Sequence, residues 1–154
     1  MPADRDIDEI VDAAAQAFAE AGRPDQAARM VEQVLEMRFV GPLVSLYGRL
    51  DAVPARERLR RADAWRARYG DDPTLLRTLG RLCAAQGLWG KAEEFLVLSV
   101  RAAPERETHL LLAQLYERLG RVDEANERYR LAALADADVP APLPEAAPIG
   151  GEAS

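Results

Sequence analysis

Residues 73–104 read PTLLRTLGRLCAAQGLWGKAEEFLVLSVRAAP, and this stretch decides the fold. Leu76, Leu79, Gly80 and Cys83 recur at i, i+3, i+4 and i+7, which places them on one face of an α-helix. A stripe of that kind is expected to be buried. Gly87 then interrupts the pattern, where a left-handed residue would end the helix at a cost of about 1 kcal/mol to any residue with a Cβ. Ala92 and Leu96 open a second stripe, so Gly80 and Ala92 put small residues where two helix backbones must nest. The stretch predicts a pair of antiparallel helices.

Working outward, the same landmarks return in AFAEAGRPDQAARMV (17–31) and LYERLGRVDEANERY (115–129). Gly22/Ala27/Val31 and Gly120/Ala125/Tyr129 correspond to Gly87/Ala92/Leu96. The offset is 33 residues to the later copy and 65 to the earlier one, so a degenerate copy is expected in between. Gly41 to Tyr69 fills that place: LVSLYGRL (43–50) has the first-helix pattern, Leu59, Ala62, Trp65 and Tyr69 give the second stripe, and the turn DAVP (51–54) has no glycine. Ala15, Gly48 and Ala113 are the counterparts of Gly80. Pro24, Pro73 and Pro104 fall at helix entrances, where a missing N–H is harmless. Helices are predicted over 7–21, 24–38, 42–51, 55–69, 73–86, 89–102, 106–119 and 122–135. Residues 1–6 read as an N-terminal extension. Residues 136–154, with four prolines and a Gly-Gly pair, read as a disordered acidic tail.

Composition agrees with helices and narrows the function. Apolar residues make up 49% but aromatics only 6%, so alanine and leucine, both strong helix formers, supply the core. A net charge of −6 repels phosphate backbones, which argues against nucleic acid as a partner. One cysteine and one histidine cannot form a disulfide or a Cys/His metal cage, and no cofactor is expected. No run of about 18 apolar residues crosses a membrane, and the chain reads as soluble.

These residues resemble the tetratricopeptide repeat at Leu76, Leu79, Gly80, Gly87, Ala92, Leu96 and Pro104, departing at Cys83, where tyrosine is usual, and at Ser99, where alanine is. The last copy restores both, with Tyr116 and Ala132. The resemblance implies an all-α, right-handed superhelix of about four helical hairpins, eight helices in all, over residues 7–135, acting as a protein-interaction scaffold. The wording GDDPTLLRTLGRLCAAQGLWGKAEEFL (70–96) further resembles the C-terminal portion of the HemY-type proteins of proteobacteria. In that family the domain follows two transmembrane helices, and an inner-membrane setting and a link to haem biosynthesis are implied. This chain would be the detached soluble part.

Stacked hairpins expose their first helices on a concave face. The repeat pattern places Glu9, Asp12 and Gln16 there from the first hairpin, Arg49 from the second, Arg77 and Arg81 from the third, and Gln114 and Glu117 from the fourth. Arg77 and Arg81, four apart, are expected to project side by side towards a carboxylate of a protein or peptide partner. The six arginines between Arg56 and Arg68 are expected to form an outer wet face, although an anion-binding or membrane-facing surface is the alternative. Trp65 and Trp89 are assigned to packing, and Cys83 to a buried, unreactive thiol. No catalytic grouping can be drawn from a single histidine. Two further readings remain: a porphyrin or haem carrier using His109, and a homodimer through Leu131 and Leu134 on the last helix.

Overall fold

The computed structural model describes the backbone of residues 4–135 and the side chains of residues 7–135. Eight helices follow in order: α1 (Asp4–Glu20), α2 (Pro24–Met37), α3 (Gly41–Tyr47), α4 (Ala55–Tyr69), α5 (Pro73–Ala85), α6 (Trp89–Ala102), α7 (Arg106–Arg118) and α8 (Val122–Leu134). Among the described residues there is no strand. The expected tail at 136–154 lies outside them.

Three turns are built alike. Gly22, Gly87 and Gly120 have φ of 77°, 72° and 74°, the left-handed conformation expected for them. At each, the amide one residue beyond the glycine donates back five residues: Arg23 to Phe18, Leu88 to Cys83 and Arg121 to Tyr116, at 2.8–2.9 Å. This closure satisfies carbonyls that the ending helix leaves open. Asp72 starts α5 by accepting from the amides of Thr74 and Leu75 at 2.8 and 3.2 Å.

The hairpins stack in two layers. α1, α3, α5 and α7 follow one another in contact along one side, while α2, α4 and α6 each pack against the first helix of the next hairpin. The closest approach is between α5 and α6: a Cβ on Gly80 would lie 2.6 Å from Leu96 Cγ and 3.3 Å from the Ala92 carbonyl oxygen. Ser99 is fully buried where alanine would be usual, and its hydroxyl donates to the Pro73 carbonyl at 2.7 Å, tying the end of α6 to the start of α5.

The degenerate second copy departs from expectation. α3 stops at Tyr47, four residues early. Arg58 is the reason: its side chain is 3% exposed and donates to the carbonyls of Tyr47 at 3.2 Å, Gly48 at 2.9 Å and Val53 at 2.8 Å. In a longer helix the first two carbonyls would bond to the amides at 51 and 52. A guanidinium here does the work of the glycine turn and places positive charge at a helix C-terminus. Arg58 therefore corrects the expected outer wet face of α4. Two others are also engaged: Arg66 pairs with Asp71 at 2.7 Å, and Arg68, together with the Tyr69 hydroxyl, donates to the carbonyls of Glu36 and Leu35 at the end of α2. Trp65 is buried against Tyr47, with ring centroids 5.0 Å apart, as the packing assignment required. At the other end α1 begins at Asp4 rather than residue 7.

Two substitutions test this packing. Arg58→Ala leaves the Gly48 and Val53 carbonyls without a donor, the Tyr47 carbonyl keeping only the Leu50 amide at 3.3 Å, and is expected to lower unfolding free energy by about 3 kcal/mol, with Arg58→Lys recovering only part, whereas exposed Arg60→Ala changes it by under about 0.5 kcal/mol. Gly80→Ala is expected to cost about 1–3 kcal/mol through the clash with Leu96, while Gly90→Ala, which meets open space, gains up to about 1 kcal/mol. Urea unfolding midpoints at constant slope measure all five.

Candidate functional site

In a superhelix of stacked hairpins the row of first helices is the concave side, and a cavity of about 320 Å³ opens between the first helices α5 and α7. Leu111, Leu115 and Ala84 give it apolar walls, and Trp89, from the first turn of α6, closes one side. Arg81 and Arg118 are its cations and Gln114 supplies an amide; among the described residues no carboxylate lines it. The Arg118 guanidinium lies 5.3 Å from the centre of the Trp89 ring, a cation–π arrangement that orders both. Arg81 is half-buried, and burial pulls its guanidinium below the ordinary range; Arg49 and Arg77 act in the same direction, while Glu107 and Asp51 oppose it. A partly desolvated cation over apolar walls gains more from an incoming carboxylate than an exposed one does.

The other residues placed here from the sequence are distributed differently. Arg77 is 7% exposed and does not project beside Arg81: it pairs with Glu105 at 3.0 Å and Glu107 at 3.5 Å, at the head of α7. Its charge locks the third hairpin to the fourth. Arg49 is exposed in the turn after α3. Glu117 is exposed on α7 but faces α8, where it accepts from the Tyr129 hydroxyl and raises that phenol. Asp12 and Gln16 bond to each other at 3.0 Å on α1. Asp12 and Glu9 border a separate hollow against Val40 and Pro42. The structure thus brings Arg81 and Gln114 together and leaves α1 apart from them.

Trp89 and Arg118 were not among the residues placed on this face from the sequence. Their signal is positional: Trp89 stands two residues after the turn glycine, a place held by Pro24 and Val122 in the sister copies, and Arg118 lies in the last turn of the next first helix. Pairing them requires the stacking distance between hairpins.

His109 lies outside the groove. It is 5% exposed, between α7 and α8, with Nδ1 3.5 Å from an Arg128 guanidinium nitrogen. Cys83 is buried, and that burial raises its thiol above the ordinary range. Among the described residues, no group of three or more His, Cys, Asp or Glu side chains is arranged to hold a metal ion. Nor is any helix among them long and apolar enough to cross a membrane.

Comparison with solved structures gives the fold its place. A structure of MamA from Desulfovibrio magneticus RS-1, beginning at its residue 41, superposes with a TM-score of 0.63 at 19% identity, over 83% of this chain and 75% of that one. A crystal structure of MamA matches at 0.61 and 15% identity over 83% and 77%, and the MSR-1 form of MamA at 0.58 and 16% over 88% and 80%. The fold is of the tetratricopeptide-repeat type, an all-α superhelix. Identities this low speak for architecture only. No family model matches the chain, and no curated protein does either.

Burial and the Arg128 charge hold the His109 imidazole below its ordinary value of 6.5. The unfolded chain therefore takes up a proton near pH 6.5 that the folded chain binds only at lower pH, so stability is lost as pH falls through 6.5. His109→Gln is expected to flatten the decline in urea midpoint between pH 7 and pH 5.5, while the wild type keeps it.

Proposed function

We propose that this domain is a non-catalytic protein-interaction scaffold whose concave groove takes a peptide segment of a partner protein. What supports the reading is one juxtaposition: Arg81 and Arg118 frame walls made by Trp89, Leu111 and Leu115, and no acidic residue among those described lines the cavity to neutralise them. Such a surface favours a segment that presents apolar side chains flanked by a carboxylate, in keeping with the enrichment of tryptophan and arginine at binding hot spots. Arg49 and Gln114 extend the polar contacts, and Asp12, Gln16 and Glu117 form acidic and amide flanks. Arg77 contributes by holding the two hairpins in register.

The finer placement, as part of a HemY-type membrane-tethered protein linked to haem biosynthesis or the assembly of membrane complexes, is supported by the wording of residues 70–96 alone. Haem carriage within that setting finds no axial ligand in the groove, since His109 is enclosed between α7 and α8. Self-association is favoured by a different observation: Leu134 is 58% exposed at the end of α8, which no further described helix covers.

Peptides selected from a random 12-residue display library on the wild-type protein are expected to be enriched in acidic and apolar residues. They are expected to lose at least about tenfold in affinity on Arg81→Glu or Arg118→Glu, with the helical circular dichroism unchanged. Equal affinity for both variants removes this groove as the site. A Soret shift on haem titration of the wild type would reinstate the carrier reading, and a strict monomer by light scattering would dismiss self-association.

A further inference from the structure

The arginines of α4 left over after packing identify a second place on the molecule. Arg58, Arg66 and Arg68 are engaged, and Arg61 faces Glu32 at 3.5 Å. Arg56 and Arg60 are not: both are exposed, and neither is in an ion pair among the described residues. They stand four residues apart and border a cavity of about 260 Å³ between α4, α5 and α6. Across it stands Lys91, in the first turn of α6 and equally unpaired. Leu59 and Phe95, both half-buried, form its walls, with the buried Cys83 at the back. Among the described residues Asp63 is the only carboxylate lining it, and Glu57 borders an adjoining hollow beside Arg56 and Arg60. The charges of Lys91 and Asp63 both reach the Cys83 thiol, the first lowering and the second raising it, which places them at one recess. Arg66 covers the Phe95 ring at 5.3 Å from its centre while bound to Asp71.

Three cations against one carboxylate is the reverse of the whole chain's balance of 20 basic to 26 acidic residues. Gathered round one recess they repel one another, and the single carboxylate of Asp63 offsets this only in part. We propose that this recess, on the side away from the concave groove, binds a small organic anion: a phosphate or carboxylate head held by Arg56, Arg60 and Lys91, with a short apolar body against Leu59 and Phe95. Its concavity and size favour a small molecule over a membrane surface, for which three cations give little attraction. The recess shares no lining residue with the groove between α5 and α7, so either assignment stands or falls without the other.

The test is titration of the ¹⁵N-labelled protein with phenyl phosphate, inorganic phosphate and benzyl alcohol. Phenyl phosphate is expected to give saturable amide shifts at Leu59, Cys83 and Phe95, with an affinity at least about tenfold above inorganic phosphate and with benzyl alcohol giving no saturation. Shifts should vanish in the Arg60→Gln, Lys91→Gln double variant, whose unfolding midpoint stays at the wild-type value because both side chains are exposed. Citrate and phenylacetate, run alongside, separate a phosphate from a carboxylate head. Shifts that persist in the variant, or that centre on Trp89 and Arg118, overturn the proposal. Flotation with phosphatidylglycerol vesicles that phenyl phosphate fails to displace overturns it in favour of a lipid surface.

Discussion

The structure depends on how closely α5 can lie against α6. Gly80 presents no side chain to Leu96 and the Ala92 carbonyl, and a single added carbon would sit 2.6 Å from its neighbour. Because the two helices nest at that distance, α5 can also meet α3, α4 and α7. The second and fourth hairpins pack directly on this central helix and the first is carried through α3, and the groove to one side and the recess to the other are both consequences of its placement. Close packing makes the arrangement unforgiving, since interiors at crystal-like density have few gaps into which a displaced leucine can move.

Arginine carries most of the polar design. One buried guanidinium, Arg58, replaces a glycine turn by taking three carbonyls, and another, Arg77, ties the third hairpin to the acidic head of α7. Arg121 bridges Glu93 and Glu124 at 2.8 and 2.6 Å, linking α6 to the last hairpin, with its guanidinium 4.4 Å from the Tyr116 ring centre. A planar fork suits these tasks because it meets several acceptors at once and tolerates partial burial. Arg81 and Arg118 on one side and Arg56 and Arg60 on the other form no ion pair among the described residues, and they frame cavities.

Helix periodicity and the turn glycines were legible because both are local: a 3.6-residue repeat and a left-handed φ are properties of neighbouring residues. Seven of the eight helices both begin and end within three residues of where the stripes placed them, and α3 is the exception for a nonlocal reason, since the side chain that ends it arrives from ten residues away in the next helix. Ser99 is a smaller case of the same kind. Its hydroxyl looks out of place in a stripe of alanines until Pro73 is brought within 2.7 Å.

By itself the sequence determined the all-α repeat architecture, its hairpin count and which residues form the buried stripes, because apolar side chains at helical spacing have one way to leave water together. It also expected Arg81 and Gln114 to share a face, and both line the cavity between α5 and α7. Only tertiary structure decided which charges are spent in packing and which are left beside cavities without an ion pair. Arg77 and Arg81 look equivalent four residues apart, yet one is taken by two glutamates of the next hairpin and the other is not. Trp89 and Arg118 become partners only across the gap between stacked hairpins, a distance that is set by packing.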